Sequence, residues 1–469
     1  MIRFGPLGWR GMLAEEITVA TVRRVAAAAA RHVIESGGRQ RGLFVGHDAR
    51  FMSAALAREA AAAIASLGVP AWLPPGPLPA PVAAYAVVSG RRALGLMIGG
   101  GAAAPEIAGM ALVGPSGAPA AAEVIAAIEA YAADGSAGPP APPRSRRAPR
   151  ALVRTHDPRR AYLRHLAAGA RRAVARRGRL RLACDPRRGA ACSFLEAAIA
   201  LVARPVEILH ATPHPEFAGG GADCGEAQLR DLARAVRRGG LDLGLATDGD
   251  GGRFGVVDRG GVSIAANQVL ALVADWLIGE RGLAGGLART VTTTHLLDDV
   301  AAFHGRTIDE TRVGFAHLAP LLASGRAALG CEETGALALA AHLPQRDGLM
   351  AAVLVAAMVA ARRRPLREQI GALFARIGPR HGRRIDYHVD PQARDRMLRR
   401  LEDPPSVIAG RRVRRVDAPD GVRLTLADGS WVLVRAAATE PVVRCHIEAR
   451  AARDLEALTG AVREIIGRA

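Results

Sequence analysis

From residue 19 to about residue 370, short apolar runs alternate with longer stretches whose apolar residues recur at helical spacing, and this alternation constrains the fold more than any other feature. It is the pattern of α/β layers. Residues 19–36 predict a helix stopped by Gly37-Gly38. Gly42-Leu-Phe-Val-Gly46 predicts a buried strand, followed by a helix over 53–67 with Ser53 as N-cap and Gly68 as terminator. Helices over 120–133, 158–177, 193–203 and 226–238 follow, with strands over 180–184, 206–209 and 241–246 between them. Further helices cover 266–278 and 348–362. Beyond these the pattern changes to short strands over 413–416, 422–426, 431–434 and 445–449, with the hairpin signal Asp428-Gly429, and then a final helix. That last unit reads as α+β.

A chain of 469 residues has room for three or four domains of roughly 100–200 residues each. The clearest boundary is the proline-rich run 135–149, which cannot pack as a core. The predicted division is an α/β domain over 1–138, a linker over 139–150, α/β domains over 151–255 and 256–370, and an α+β domain over 371–469.

Half of the residues are apolar, but aromatics are only 4%, so the cores must be packed from Ala, Leu and Val. All 63 basic residues are Arg and the net charge is +19. Codon usage of a GC-rich genome accounts for Arg, Ala, Gly and Pro rising together; a basic surface also concentrates anionic ligands. No basic–aromatic interleave or nucleic-acid module is present, so nucleic acid is not the expected partner. The five cysteines are scattered without a CxxC pair, which predicts free thiols in a reducing compartment and no zinc site. The N-terminus lacks the apolar core of a signal peptide. The longest apolar span, 349–361, is 13 residues and ends in three arginines, too short to cross a bilayer. The expectation is a soluble, cytoplasmic protein without a membrane partner.

The stretch 95–114 reads as an apolar strand, a glycine-rich crossing and a second apolar strand. Gly99, Gly100 and Gly101 permit left-handed backbone or close approach to a ligand, the construction of phosphate-handling loops. From Gly99 to Pro105, however, there is no hydroxyl, thiol, imidazole, amine or carboxylate to attack or to move a proton.

Six segments in order resemble the α-D-phosphohexomutase family, the phosphoglucomutases and phosphomannomutases. Phe4-Gly-Pro-Leu-Gly-Trp-Arg-Gly11 is similar to the opening motif FGTDGWRG, and Val45-Gly-His-Asp-Ala-Arg-Phe51 to the next loop. Thr247-Asp-Gly-Asp-Gly-Gly-Arg253 falls at the metal loop DxDxDR, and Val313-Gly-Phe315 at a linker loop. Glu332-Glu-Thr-Gly335 falls at the sugar loop, and Arg435-Ala-Ala-Ala-Thr-Glu-Pro441 at the phosphate loop RxSGTEP. The resemblance implies a heart-shaped, four-domain architecture: three related α/β domains and a smaller C-terminal α+β domain, with the site between all four. It implies a phosphoserine and one Mg²⁺ that exchange phosphoryl groups with a hexose phosphate through a bisphosphorylated sugar.

Against that pattern, the phosphorylated Ser falls on Gly101, its His and Asn neighbours on Ala102 and Ala103, and the proton-handling Lys on Ala111. Ser116 lies beyond the second strand in an ordinary turn. The metal loop keeps Asp248, Asp250 and Arg253, but its third Asp position is Gly252, leaving two carboxylates for a weakened Mg²⁺ site. The phosphate loop has Ala437 and Ala438 for Ser and Gly, the linker-loop Lys position is Ala316, and 185–189 replaces a usual Met-His pair. Arg10 stands where the family's phosphoryl-facing Arg is expected. Glu332 and Thr334 correspond to the pair that holds ring hydroxyls. Arg435, Thr439 and Arg444 remain to grip phosphate, and His342 falls in the stretch after the sugar loop.

Taken alone, these residues have plainer readings. Asp248 and Asp250 also suit a turn cap, Glu332-Glu333 a solvated pair, Arg435 a solvated strand end, and His342 a structural histidine. The family register is what assigns them roles. The leading expectation is a catalytically impaired pseudoenzyme that binds a hexose phosphate or regulates a partner such as a true mutase. The alternatives are an active phosphosugar enzyme using non-standard residues, and an interaction scaffold without ligand.

Overall fold

The computed structural model describes residues 2–134, 152–173, 180–436 and 442–467. The predicted linker 139–150 lies outside them. The alternating pattern folds into four sheets among the described residues.

In the first sheet the order is Trp9–Met12, Ile107–Val113, Leu94–Ile98, Leu43–His47, Ala71–Leu73, Val153–Thr155. Leu43–His47 pairs in parallel with both its neighbours, while Ile107–Val113 runs antiparallel beside Leu94–Ile98. Successive side chains feed opposite cores: Leu43 and Val45 join one apolar cluster with helices Val19–Glu35 and Ser53–Ser66, and Phe44 joins another. The alanine run of Val19–Glu35 lets that helix lie close on the sheet, with Ala26 to Ala30 all buried.

Ser53 does not cap its helix. The N-cap residue is Met52 in a left-handed conformation with no side-chain cap, and the Ser53 hydroxyl instead donates to Asp48 Oδ1 at 2.7 Å. Asp48 is fully buried and its carboxylate takes the Ser53 hydroxyl as a donor, which leaves that oxygen out of any capping role for the helix N–H groups.

The second sheet runs Val262–Ile264, Phe254–Asp258, Leu243–Thr247, Leu182–Asp185, Pro205–Ile208, and the third Ile308–Thr311, Gly286–Thr290, Ala327–Glu332, Ala336–Leu339. Helix Gly348–Arg362, buried from Gly348 to Val359, joins a single core that includes Leu245 and Val256 of the second sheet and Leu329 and Leu337 of the third. The helix expected over 226–238 begins as a 3₁₀ turn, Glu226–Leu229, before Arg230–Arg238. No described helix is long and apolar enough to cross a membrane.

The fourth sheet adds a strand that the sequence pattern did not announce. His381–His388 pairs along its whole length with Val442–Ala449, although it carries few apolar residues, because as an edge strand it buries little of either face. Polar clasps dock this sheet on the third unit. Glu448 accepts from His295 N (3.1 Å), Trp431 Nε1 (3.0 Å) and Arg380 Nη1 (3.3 Å). Glu310 Oε2 accepts from Arg289 (2.7 Å) and from Arg423 of the fourth sheet (2.5 Å). These clasps fix where Arg435 and Arg444 stand relative to the other three sheets.

Burial alone would raise the Glu310 carboxyl, but His295 at 3.9 Å and the Arg423 and Arg289 guanidiniums more than offset it and hold the group well below the usual range. A depressed carboxylate contributes stability above its unfolded value and loses it as pH falls. Glu310→Gln is expected to lower unfolding free energy by about 2–3 kcal/mol at pH 7. In denaturant titrations the gap between variant and wild type should narrow below about pH 4.3, the unfolded value; a gap that does not change with pH would remove this ion pair from the docking.

Candidate functional site: a cleft where four sheets meet

The crossing 99–107 is held from below by Asp48 and Arg50. Asp48 Oδ2 accepts from Gly100 N (2.9 Å) and Arg50 Nε (3.1 Å). The Arg50 guanidinium then donates to four carbonyls of the crossing: Gly101 (2.9 Å), Ala103 (2.8 Å), Ala104 (2.5 Å) and Ile107 (3.2 Å). This clamp explains two of the glycines. A Cβ at Gly99 would lie 2.3 Å from Asp48 Oδ2, and one at Gly100 2.3 Å from Arg50 Cζ. Gly101 itself is left-handed, at φ 62°. Its Cβ position would face Asp250 Oδ2 at 3.4 Å, Arg10 Nη2 at 3.6 Å and Arg346 Nη2 at 3.8 Å, so the space exists and the side chain does not.

Opposite lies the acidic loop, whose turn the two aspartates shape. Asp248 Oδ1 accepts from Arg253 N (3.0 Å) and Asp250 Oδ1 from Gly252 N (3.0 Å). The loops touch: a Cβ on Gly249 would stand 2.9 Å from the Gly101 carbonyl oxygen. Asp250 Oδ2 receives Arg346 Nη2 at 2.8 Å. Arg346 rests on a rigid base, because the next residue, Asp347, caps helix Gly348–Arg362 through Leu349 N (3.0 Å) and Met350 N (2.9 Å). Asp347 also takes Tyr162 Oη at 2.7 Å and His342 Nε2 at 2.8 Å. Gly348 N reaches back to Gly251 O at 3.0 Å.

The electrostatics follow from burial. Withdrawal from water lowers the Arg10 guanidinium to about 10, its hydrogen bonds among the described residues going to the Gly99 and Leu7 carbonyls. Burial raises Asp248, and the neighbouring Asp250 charge adds to the rise. Burial would raise Asp250 too, but the Arg346 and Arg10 guanidiniums outweigh it and hold that carboxyl low.

A cavity of about 1030 Å³ opens from this junction. Arg10, Gly101, Arg253, Glu332, Thr334, Arg435 and Arg444 all line it, so the residues expected from sequence for nucleophile, sugar and phosphate positions do converge. Glu332 is buried, and that burial raises its carboxyl; Oε1 accepts from Gly314 N at 3.0 Å. The Thr334 hydroxyl and Arg435 Nε are buried without a hydrogen-bond partner among the described residues. Arg435 Nη2 lies 3.3 Å from Asp420, and Arg444 Nε lies 3.6 Å from Asp386. Thr439 lies outside the described residues.

His342 does not line the cleft. Its Nε2 is taken by Asp347, its ring stacks on His165 at 4.7 Å, and only 7% of its surface is exposed, so it steadies the base under Arg346 instead of meeting a sugar. Among the lining residues that the sequence did not single out are Arg346, Arg384 and His446. Arg384 is braced by Asp386 (2.6 Å) and Glu333 (3.2 Å). Burial lowers His446 to about 4, leaving it neutral near pH 7. Arg346 directly precedes the aspartate that caps an apolar helix, and that position was the available signal.

The donor set does not fit the Mg²⁺ that the resemblance implies. Octahedral Mg²⁺ asks for hard oxygen ligands. Here one candidate carboxylate is bonded to Arg346, the third position is Gly252, and no group of three or more His, Cys, Asp or Glu able to hold a metal exists among the described residues.

The clamp yields a direct test. Gly100→Ala is expected to push Arg50 off the crossing carbonyls and to lower stability by about 1–3 kcal/mol, the cost of leaving buried polar groups unmet. The measurement is a denaturant melt, and a neutral result would deny the clamp its role.

Four family models match in chain order. Those for phosphoglucomutase/phosphomannomutase α/β/α domains I, II and III match residues 1–138, 160–261 and 265–377, and that for the C-terminal domain matches 395–465. The phosphoglucosamine mutase of Rhodospirillum rubrum is 28% identical over 95% of this chain and 94% of its own length. Against another curated relative, 30% identical, the chain spans about half of the relative's length. A solved structure from Thermus thermophilus, assigned as a phosphomannomutase, is 30% identical and covers 99% of both chains with a TM-score of 0.83. The N-acetylphosphoglucosamine mutase of Aspergillus fumigatus, solved with GlcNAc-6P and magnesium, shares the fold at 14% identity, with a TM-score of 0.60 over 99% of this chain and 95% of that one. With four domain models in sequence over one shared cleft, the chain belongs to the phosphoglucomutase/phosphomannomutase family, the α-D-phosphohexomutases.

Proposed function

We propose that this protein holds a hexose phosphate in the cleft without carrying phosphoryl groups on itself, a binding or regulatory member of a mutase family. One observation carries the reading. Residue 101, whose Cβ position faces Asp250 and Arg10 within 3.6 Å, is glycine and offers no oxygen to phosphorylate. A covalent route divides one difficult transfer into two, and it needs an acceptor atom on the protein. Cys224 also lines the cleft, but burial raises its thiol well above the ordinary range and keeps it from supplying a thiolate.

The binding half of the chemistry retains its groups. Arg435 presents a planar fork suited to a phosphate, with Arg384 and Arg444 on the same wall. Glu332 and Thr334 offer an acceptor and a hydroxyl to sugar hydroxyls in the same cleft as Arg253 and Arg346. The protein partner such a role calls for is a true mutase whose ligand it senses or shares. A second reading, direct phosphoryl passage between a bisphosphate and a monophosphate, draws on Arg10, Arg253 and Arg346 lining the same cleft as residue 101, but leaves no side chain at residue 101 to hold the phosphoryl between half-reactions.

A coupled mutase assay decides between these. With glucose, mannose or glucosamine 1-phosphate, bisphosphate activator and Mg²⁺, the expected rate lies at least about 10⁴-fold below a family enzyme assayed alongside, as when one member of a catalytic unit is removed. A rate comparable to that enzyme's would overturn the proposal. Calorimetry with glucose 6-phosphate should show binding that Arg435→Gln weakens about tenfold or more, the loss of a charge-assisted pair. If wild type binds none of these sugars, the scaffold reading takes its place.

A further inference from the structure

We propose that Arg346 is the built-in cation of this cleft: its guanidinium holds Asp250 and faces the anion seat at residue 101, so that the cleft takes phosphate ligands without a divalent metal. The ligand half of this statement rests on the binding role proposed above; the cation half does not.

Two positions in different loops fit each other. Arg346 Nη2 bonds Asp250 Oδ2 at 2.8 Å, with the two side chains only 12% and 5% exposed. A Cβ at residue 252 would lie 2.7 Å from Arg346 Nε and 3.1 Å from its Cδ. Those atoms sit midway along the side chain, so any residue but glycine at 252 would displace the guanidinium. Where the family resemblance calls for a third carboxylate, this chain has the one residue that admits an arginine. The charges at the junction agree with this: glycine at 252 leaves one carboxylate fewer than the resemblance calls for, and the Arg346 guanidinium places one fixed positive charge against Asp250.

Placement agrees with that accounting. Asp347 fixes the backbone beside Arg346 through two helix amides, Tyr162 and His342, so the guanidinium is carried on a rigid base. Asp250 Oδ2, Arg10 Nη2 and Arg346 Nη2 stand 3.4, 3.6 and 3.8 Å from the Cβ position of Gly101, so the two guanidiniums exceed the one carboxylate there by a single positive charge. Two guanidiniums converging on one small space form a seat for an oxyanion, and their charge is permanent at any physiological pH. Unlike a bound ion, it does not leave when free metal is scarce.

The probe is Mn²⁺, which prefers the same oxygen donors as Mg²⁺ and loses its free electron-paramagnetic-resonance signal on binding. Full-length wild type should leave the free signal unchanged. The double variant Gly252→Asp with Arg346→Met restores a third carboxylate and removes the guanidinium, and should take up about one Mn²⁺ per chain; near-ultraviolet circular dichroism verifies that it is folded. In parallel, glucose 6-phosphate titrated into wild type should bind with an affinity in EDTA within about twofold of that in Mg²⁺, while Arg346→Met should weaken it about tenfold. Stoichiometric Mn²⁺ uptake by wild type, or a tenfold loss of sugar-phosphate affinity in EDTA, overturns the proposal. Absence of sugar-phosphate binding in both buffers defeats the binding role alone, because the Mn²⁺ measurement needs no ligand.

Discussion

Asp48, Arg50 and Asp250 are buried, and Arg10 and Arg346 part-buried, at one junction of loops, and a charge taken out of water is tolerated only beside its opposite. Each loop there is shaped by that requirement. Asp48 needs donors, so it draws in Gly100 N, Arg50 and the Ser53 hydroxyl, at the expense of an ordinary helix cap. Arg50 needs acceptors, so the crossing turns four carbonyls toward it. Asp250 needs a cation and finds it on the third unit, 96 residues further along the chain.

This balance couples the domains mechanically as well as electrostatically. The acidic loop of the second unit is tied to the first through Ala80 N on Asp250 O at 2.8 Å, and to the third through Gly348 N on Gly251 O at 3.0 Å. The fourth unit joins by Arg423 on Glu310 and by His295 N on Glu448. The cleft is thus walled by all four units, each tied to a neighbour by hydrogen bonds or ion pairs.

Glycine has opposite meanings at neighbouring positions. Gly99 and Gly100 are structural necessities, since a Cβ at either would strike the Asp48–Arg50 clamp. Gly101 serves the backbone, which is left-handed there at φ 62°, while its Cβ position meets its neighbours at ordinary contact distances of 3.4 to 3.8 Å. Gly252 is a third case: it makes room for a side chain from elsewhere. One residue type thus records close packing, a left-handed backbone and a made vacancy, and composition alone does not separate them.

The alternation of apolar runs with helical stretches determined the α/β layers, and motif order determined that Arg10, Gly101, Arg253, Glu332, Thr334, Arg435 and Arg444 share one cleft, because each motif keeps its own local signature of turn residues and strand ends. Local patterns were silent where the outcome depended on distant partners. The polar edge strand His381–His388 exists because Val442–Ala449 offers it a ladder, and Ser53 leaves its helix because Asp48 is buried nearby. His342 turned from candidate ligand to support once Asp347 and His165 were seen around it. Arg346 is the sharpest instance. Its place before the capping Asp347 marks it only as a helix-start neighbour, and the fold alone brings its guanidinium, 96 positions away in sequence, onto Asp250, where Coulomb attraction in a dry junction gives it meaning.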